Sequence, residues 1–362
     1  MPTFDIIRTA TPQKSFRVAA VMGTYDLQDN SVTERFSGEL TLPEKWSVGL
    51  IVGSSGTGKT TIAKELFPQA YIGGFEYTHD NILDDFPQGI KVSDICKTLS
   101  QCGFSSPPSW LKPYAVLSQG EKMRCDLARA ILNENKLFVF DEFTSVVDRQ
   151  VAKIASFCVQ KSIRRTDKQF IAVSCHRDIE EWLLPDWVFD TNSMTFRLCE
   201  SQKKNKPAVE LRIYETTNKE YFWHLFRRYH YLGHTFNKAA RTFVATANGE
   251  LCAFTSFLHF PHPHLKNYFR GHRTVVFPDY QGLGIGQAVF DFVARKLQSD
   301  GYSVVTTTSN PAKIVCMIRS GNWNVTHYGR ISSGSLSGFQ RKDDVKSTSA
   351  SRNTVSFKIK PL

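Results

Sequence analysis

The chain has 362 residues and a formal net charge of +11, which is unevenly distributed: residues 1–200 carry 22 basic and 25 acidic side chains, whereas residues 201–362 carry 23 basic and 9 acidic ones. No apolar run approaches the roughly 18 residues of a membrane span, the N-terminus lacks the pattern of a secretion signal, and the eight cysteines form no C-x-x-C pair. We therefore expect a cytoplasmic protein of two domains with no membrane partner, whose basic half faces a polyanion such as nucleic acid.

The first 46 residues contain short alternating segments. Residues 16–21 and 36–40 alternate apolar and polar side chains in the manner of strands. The sequence therefore predicts a small antiparallel sheet at the beginning of the chain.

A phosphate-binding motif follows the apolar residues 47–52. The motif has the form G-x-x-x-x-G-K-[ST] and comprises Gly53-Ser54-Ser55-Gly56-Thr57-Gly58-Lys59-Thr60-Thr61. Its glycines allow backbone N–H groups to turn toward phosphate oxygens at the N-terminus of a helix. We expect Lys59 to reach the β- and γ-phosphates of a nucleotide and the Thr60 hydroxyl to bind Mg²⁺.

Two further segments carry groups that could act on the nucleotide. Ser118 and Gly120 lie at the start of a helical pattern, where a hydroxyl and free N–H groups can meet a phosphate. Residues 136–143 read as a buried strand that ends in Asp141 and Glu142. Asp141 is the candidate Mg²⁺ ligand, and Glu142 is the candidate catalytic group that orients or deprotonates the attacking water.

A histidine completes this set. The buried segment 170–175 ends at His176, which could bond to the γ-phosphate. In their order and spacing these motifs resemble those of the ABC-type ATPases over about residues 14–195. The resemblance implies an α/β P-loop NTPase domain over residues 1–200 that binds ATP and Mg²⁺, with His176 as the switch histidine and Asp148 in a further loop at the nucleotide.

The resemblance also implies an assembly. Ser118 and Gly120 of one protomer would complete the ATP site of another, so that ATP closes a head-to-tail homodimer. No convincing glutamine loop lies between Lys59 and Ser118. A transporter ATP-binding subunit is therefore the less favoured interpretation.

The basic residues 201–209 are predicted to be a linker. Beyond them, residues 219–229 look helical, residues 242–257 read as a hairpin that turns at Asn248-Gly249, and residues 273–290 read as strand, glycine loop and helix. The loop contains Gln281, Gly282, Gly284 and Gly286. The tail, residues 331–352, is rich in Ser, Lys and Asp and is expected to be mobile.

Residues 211–330, together with a last strand at 354–360, resemble the GNAT acyltransferases. The resemblance implies an α+β domain over residues 210–362 with a mixed, mostly antiparallel sheet. It also implies that the backbone of the loop at Gln281, Gly282, Gly284 and Gly286 holds the pyrophosphate of acetyl-CoA or another acyl-CoA. Many members carry a tyrosine as general acid where this chain has Met317, so either another proton carrier exists or the reaction is not ordinary acetyl transfer. His230 and Tyr231 are the candidate catalytic residues.

A histidine cluster remains open to two interpretations. His259, His262 and His264 could form a metal site, but prolines flank His262 and no carboxylate is near in sequence. An ordinary extended loop is the alternative.

The pairing of the two domains resembles phage and bacterial proteins near the Mom-like DNA modification enzymes. The resemblance implies an ATPase in a bacterial or phage-infected cell whose GNAT domain modifies a nucleic-acid base, with DNA the favoured substrate. Two alternatives stay open. The chain could be a protein N-acetyltransferase gated by an ATPase, or a non-catalytic GNAT-fold module that tethers an ABC ATPase to DNA.

Overall fold

A computed structural model describes residues 3–11, 13, 15–27, 31–199, 209–230, 233–260, 266–330 and 353–361. The chain divides into two compact units. Residues 1–75 and 133–205 form unit 1, and residues 76–132 and 206–362 form unit 2. The predicted boundary near residue 200 assigned residues 76–132 to the ATPase domain. That assignment stays a prediction, and the structure adds that this segment packs with the C-terminal residues.

Unit 1 contains two sheets. Strands β1 (Thr3–Ala10) and β2 (Val32–Glu39) form an antiparallel pair. The main sheet has the order β4-β5-β6-β3-β7-β8, with strands β3 (Val48–Val52), β4 (Tyr71–Ile72), β5 (Leu137–Phe140), β6 (Gln169–Ser174), β7 (Trp187–Asp190) and β8 (Thr195–Leu198). All neighbours in this sheet are parallel except β7 and β8. Its helices are α1 (Phe16–Tyr25), α2 (Lys59–Leu66), α6 (Arg149–Ile163) and α7 (Ile179–Leu183).

The antiparallel sheet predicted at the start of the chain exists, but residues 16–21 do not belong to it. They lie in α1, whose N-terminus is capped by Ser15, since the Ser15 side chain accepts a hydrogen bond from Val18 N. A capped helix satisfies backbone groups locally, and here it prevails over the strand-like alternation.

The core of unit 1 lies on the parallel sheet. Every residue of β3 is buried, as expected for a central strand covered on both faces. Ile51, Ile62, Val139 and Val173 belong to one buried cluster that joins α2 to the sheet. The glycine loop between β3 and α2 is therefore held at both ends by buried elements.

Unit 2 combines a helical segment with a seven-stranded sheet. The segment contains α3 (Val92–Gln101), α4 (Pro107–Trp110) and α5 (Gln119–Leu132). The sheet has the order β14-β15-β13-β12-β11-β10-β9 and the strands β9 (Leu211–Glu215), β10 (Arg241–Ala247), β11 (Glu250–His259), β12 (Tyr268–Val276), β13 (Ser303–Thr308), β14 (Trp323–Arg330) and β15 (Asn353–Ile359). The accompanying helices are α8 (Lys219–Phe226), α9 (Ile285–Ser299) and α10 (Pro311–Ser320).

Only β12 and β13 pair in parallel; every other ladder in this sheet is antiparallel. The predicted hairpin is confirmed, because β10 and β11 turn at Asn248 and Gly249, both with positive φ. The helix predicted from residue 219 is also confirmed. Among the described residues no helix is both long and apolar enough to cross a bilayer.

Candidate functional site

The glycine loop of unit 1 forms a tight turn into α2. Gly58 adopts φ 80° as the N-cap of α2, and Gly56 adopts φ 82°. Left-handed backbone of this kind favours glycine. A Cβ on Gly53 would lie 2.1 Å from Thr191 Oγ1, so this position has no room for a side chain. Lys59 Nζ donates to Ser54 O at 2.6 Å, across the mouth of the loop.

Two residues that the sequence analysis missed hold the loop in place. Asn192 Oδ1 accepts a hydrogen bond from Ser54 N at 2.8 Å, and Asn192 Nδ2 donates to Ser54 Oγ at 3.0 Å. The Thr191 and Thr57 hydroxyls lie 2.5 Å apart. Thr191 and Asn192 directly follow the buried strand β7. This signal could have found them, because the carboxyl ends of parallel strands meet at one edge of the sheet.

The predicted Mg²⁺ ligands lie together. Thr60 Oγ1 donates to Asp141 Oδ2 at 2.8 Å. Hydroxyl and carboxylate oxygens are the ligands that Mg²⁺ prefers, so the two side chains fit the cation, whose binding here stays a prediction. Tyr71, another residue missed in the sequence, donates its OH to the same Asp141 oxygen at 2.6 Å. Burial, and then this hydrogen bond, raise the pKa of Tyr71 above its usual range.

Glu142 lies next to this pair in an unusual conformation. Its φ is 52°, and Thr144 two residues later has φ 67°. Non-glycine residues in this region are strained and concentrate at functional sites. Phe143 N donates to Val173 O, which ties the turn to β6. The Glu142 side chain is exposed, so it can reach a water molecule or a nucleotide.

His176 follows β6 at the same edge of the sheet. Strand β6 is the parallel neighbour of β5, which leads to Glu142, so both residues come from adjacent carboxyl ends. His176 N donates to Ser174 Oγ at 3.2 Å, and the residue is half-buried. Glu142 and His176 thus both follow strands at this edge of the sheet, while their catalytic roles stay predictions.

The other predicted nucleotide contacts take structural positions. Asp148 Oδ1 accepts from Gln150 N and Val151 N and caps α6. In unit 2, Ser118 and Glu121 form a reciprocal capping box at the start of α5. Gly120 is buried in the first turn of α5. These contacts do not test whether ATP binds to Ser118, Gly120 and Asp148.

In unit 2 the sheet opens between its two parallel strands. Strands β12 and β13 pair only from Tyr268 to Arg270 and from Ser303 to Val305. Beyond that point β12 continues on β11, and β13 continues on β15. The two strands therefore part at their carboxyl ends, which leaves a cleft in the sheet.

The predicted acyl-CoA loop lies at the end of β12. Gly282 has φ 89°, and Gly284 has φ 83° and is the N-cap of α9. A Cβ on Gly286 would lie 3.0 Å from Val276 Cγ2, so the helix starts close against the strand. The N-terminus of a 15-residue helix thus lies at the end of the parted strand. Backbone N–H groups and the helix dipole there suit a pyrophosphate.

A β-bulge places a further histidine in β12. Ser256 pairs with Arg273 and Phe257 with Gly271, so His272 is the extra residue. Bulges redirect side chains and are frequent next to active sites. His272 Nε2 accepts a long hydrogen bond from Asn237 N at 3.4 Å. Burial, and after it the charges of Arg273, His230 and Arg270, lower the pKa of His272 to about 4. The imidazole is therefore neutral at pH 7.

The surroundings of His272 are cationic. Desolvation lowers the pKa of Arg270, although its side chain still reaches solvent. Among the described residues no carboxylate lies within ion-pair distance of Arg270. Arg273 Nη2 donates to Thr235 O. The sequence analysis missed His272, and a bulge leaves no mark in the alternation that could have revealed it.

Of the two predicted catalytic residues in this unit, only His230 can be described. It is buried, with its ring in edge-to-face contact with Trp223 at 5.6 Å. His230 is one of the groups that lower the pKa of His272. Tyr231, His262 and His264 lie outside the described residues, as do residues 201–208 of the linker and the tail 331–352. No described group of His, Cys, Asp or Glu side chains is arranged to hold a metal ion.

Met317 and Lys313 lie on one face of α10, since they are four residues apart. Met317 is fully buried in the core and has no titratable group. Lys313 Nζ lies 4.1 Å from the centroid of the Phe290 ring, and burial lowers the pKa of Lys313 to about 8. Phe290 packs against Gly271, beside the point where β12 and β13 part. Lys313 thus places a titratable nitrogen close to the cleft.

Comparison with known proteins gives one matching family model and several similar solved structures. The model of the Acetyltransferase (GNAT) family matches residues 179–315, less than half of the chain. Similar solved structures include the ribosomal-protein-S18-alanine N-acetyltransferase from Escherichia coli (15% identity, 42% of this chain, 96% of that chain, TM-score 0.31). A Bacillus subtilis acetyltransferase in complex with CoA is 14% identical; the match covers 43% of this chain and 100% of that chain, with a TM-score of 0.32. The dimeric ATP-binding cassette MJ0796 bound to ADP and Pi is 14% identical; the match covers 43% of this chain and 87% of that chain, with a TM-score of 0.37.

The chain therefore contains a GNAT acetyltransferase domain toward its C-terminus. In its N-terminal region the glycine loop lies between a buried parallel strand and a helix. The predicted fold class, an α/β P-loop domain followed by an α+β GNAT domain with a mixed, mostly antiparallel sheet, is confirmed.

Proposed function

We propose that the chain hydrolyses ATP and transfers an acyl group from an acyl-CoA to a base of nucleic acid, with DNA as the favoured substrate. ATP would also close a head-to-tail homodimer, as the ABC motifs imply. The observation that carries the choice of substrate is the neutral His272, flanked by two arginines in the strand that borders the cleft.

In the ATPase region, different side chains and backbone groups would bind the phosphates, bind Mg²⁺ and activate the water. Ser54 N donates to Asn192 Oδ1, so the backbone N–H groups of Ser55, Gly56 and Gly58 and the Lys59 ammonium would hold the phosphates. Thr60 and Asp141, 2.8 Å apart, would hold Mg²⁺. The exposed Glu142 carboxylate can accept a proton from the attacking water, and this step typically contributes about 10²- to 10⁴-fold in rate. Asn192 keeps the loop in shape without touching the reacting atoms.

In the GNAT domain, an acyl-CoA would supply a thioester, in which the acyl group is activated for transfer. The N-terminus of α9 suits its pyrophosphate, and the parted strands leave room for the rest of the molecule. As the amino nitrogen bonds to the acyl carbon and the bond from that carbon to sulfur breaks, the neutral His272 imidazole, once released from its long hydrogen bond with Asn237 N, can take the proton of the amino group and pass it to the departing CoA thiolate. Met317 itself could not take up this proton, because a thioether does not titrate.

The charge next to His272 favours a nucleobase over a protein amine. A lysine or N-terminal ammonium is cationic at neutral pH, and Arg270 and Arg273 would repel it. The amino group of a nucleobase is neutral, and the attached phosphates are attracted by the same arginines. The surplus of 23 basic over 9 acidic side chains in residues 201–362 acts in the same direction. The resemblance to Mom-like enzymes accords with this substrate.

The test is mass spectrometry of nucleosides from cells that express the wild type, Glu142→Gln or Gly284→Asp. We expect a modified nucleoside with the wild type and none with Gly284→Asp, whose added carboxylate opposes a pyrophosphate at α9. Purified protein is then given acetyl-CoA with DNA, RNA or peptide. Acetylation of peptides without nucleic acid would instead identify a protein N-acetyltransferase, and absence of CoA binding would leave a non-catalytic tether.

The role of the arginines is tested separately by nucleic-acid binding at several salt concentrations. Arg270→Ala should weaken binding and reduce the slope of log K against log salt by about one, as expected for one lost phosphate contact. Arg212→Ala is the matched control, since Arg212 is paired with Glu210 on the same unit. Equal slopes for the wild type and Arg270→Ala would contradict the proposed contact.

A further inference from the structure

Gln281, the first residue of the acyl-CoA loop, uses both ends of its side-chain amide within unit 2. Its Oε1 accepts a hydrogen bond from Ser105 N at 2.8 Å, and its Nε2 donates to Val276 O at 3.0 Å. Val276 is the last residue of β12, whereas Ser105 belongs to the helical segment that carries the ABC-type motif at Ser118. The loop is thus fastened to that segment as well as to its own sheet.

The donor at Ser105 is itself held firmly. Phe104 is buried, and its N–H donates to Leu99 O at 2.9 Å. Trp110 Nε1 donates to Phe104 O at 3.0 Å. The backbone before Ser105 is therefore fixed from two sides, so the hydrogen bond to Gln281 can transmit a displacement of the segment.

An ion pair from α5 reaches the same loop. Arg124 is 1% exposed, and its Nη2 lies 3.6 Å from Asp279 Oδ1. Asp279 precedes Gln281 by two residues. A buried guanidinium depends strongly on the charge placed next to it, even when that partner is half-exposed. The position of Asp279 is thus tied to the position of α5.

Helix α5 is capped by Ser118, the residue predicted to meet ATP. Arg124 lies six residues after Ser118, which is about 9 Å along a helix axis. Asp126 secures the helix, since its two oxygens accept hydrogen bonds from Tyr77 OH at 2.6 Å and Tyr114 OH at 2.7 Å. The two tyrosine rings are stacked with centroids 3.7 Å apart. A displacement at Ser118 should therefore move the helix as a body and carry Arg124 with it.

We propose that α5 positions the acyl-CoA loop through Arg124 and Gln281, so that ATP bound against Ser118 changes the affinity of the GNAT domain for CoA. Arg124 and Gln281 act in this way as positioning residues. The inference rests on the proposed function, in that it takes residues 281–286 as the CoA site and Ser118 as an ATP contact. By linkage, CoA must change the affinity for ATP by the same factor.

The experiment is isothermal titration of the full chain with CoA, with and without a non-hydrolysable ATP analogue and Mg²⁺. We expect the analogue to change the CoA Kd of the wild type by about threefold or more. Asp279→Asn, which removes the charge with little change of shape, should weaken CoA binding by about threefold to tenfold and abolish the response to the analogue. The matched control is Asp300→Asn, because Asp300 pairs with Arg241 at 3.3 Å in the same unit. It should behave as the wild type.

Hydrogen exchange of residues 279–286 in the unmodified chain gives a second readout that needs no variant. Adding the ATP analogue without CoA should alter exchange in this segment, and unchanged exchange would overturn the inference. So would a wild type that binds CoA equally with and without the analogue, or an Asp279→Asn protein indistinguishable from Asp300→Asn. In those cases the proposed function stands. A wild type that binds no CoA would overturn both.

Discussion

Replacing Lys313 with methionine should make the protein more stable at neutral pH. Burial lowers the pKa of Lys313 from 10.5 to about 8, so the folded chain holds this proton less tightly than the unfolded chain. At about 1.4 kcal/mol per pKa unit, the difference corresponds to about 3 kcal/mol. Loss of the contact with the Phe290 ring, 4.1 Å from Nζ, offsets about 1 kcal/mol of this gain. We therefore expect a net stabilisation of about 2 kcal/mol.

The direction of the Lys313 pKa shift determines the pH range in which this residue affects stability. Between about pH 8 and 10.5 the unfolded chain keeps the Lys313 proton while the folded chain releases it, so the stability of the wild type rises with pH in that window. Below about pH 8 the cost of the buried charge is fully present, and above 10.5 it is absent. The advantage of Lys313→Met should thus be largest at neutral pH and vanish near pH 10.5.

Urea unfolding followed by tryptophan fluorescence measures this difference, with the wild type and the variant compared at each pH so that other titrating groups cancel. Lys296→Met is the control, because Lys296 is exposed on the neighbouring helix α9 and its removal changes the net charge equally. The reasoning fails if Lys313→Met is not stabilised at pH 7, if the gain is the same near pH 10.5, or if Lys296→Met gains as much.

Three further substitutions test the two sites. Glu142→Gln should reduce ATP hydrolysis by about 10²- to 10⁴-fold while equilibrium ATP binding persists, and a parallel loss of both would contradict its role as base. Gly53→Ala should weaken ATP binding by about tenfold or more, since its Cβ would lie 2.1 Å from a threonine hydroxyl, whereas Gly73→Ala, with no atom within 4 Å, should bind normally. Gly284→Asp should abolish CoA binding measured by titration, and Gly321→Asp, at a similar positive φ in open space, should retain it; equal losses would indicate backbone strain alone.

The local sequence pattern was sufficient to predict those features whose functional residues are close together in the sequence. The glycine loop needs a strand, small residues and a helix within a short stretch, and all three are visible in residues 47–66. The meeting of Thr60 and Asp141 was also predictable, because both follow carboxyl ends of strands in one parallel sheet. The turn at residues 248–249 needs only an Asn-Gly pair between alternating segments.

Features that depend on partners distant in sequence were not predictable. The bulge at His272 depends on how β11 pairs with β12, which alternation alone does not reveal. The buried amine of Lys313 depends on the packing of α10 against Phe290, and an isolated lysine in a helical pattern gives no sign of burial.

The two glycine loops of this chain both place backbone N–H groups at the N-terminus of a helix. They differ in which part of the structure holds them in place. In unit 1, Asn192 fastens the glycine loop from the same sheet that carries it, so the loop is shaped by its own domain. In unit 2, Ser105 and Arg124 hold the predicted acyl-CoA loop from the segment that carries the predicted ATP contact Ser118. Because the second loop is held by a segment that carries another predicted ligand contact, the geometry of one ligand site depends on the state of the other. This dependence is the physical requirement for coupling between the two sites. The sequence order of ATPase motifs before acyltransferase motifs would not by itself provide this dependence.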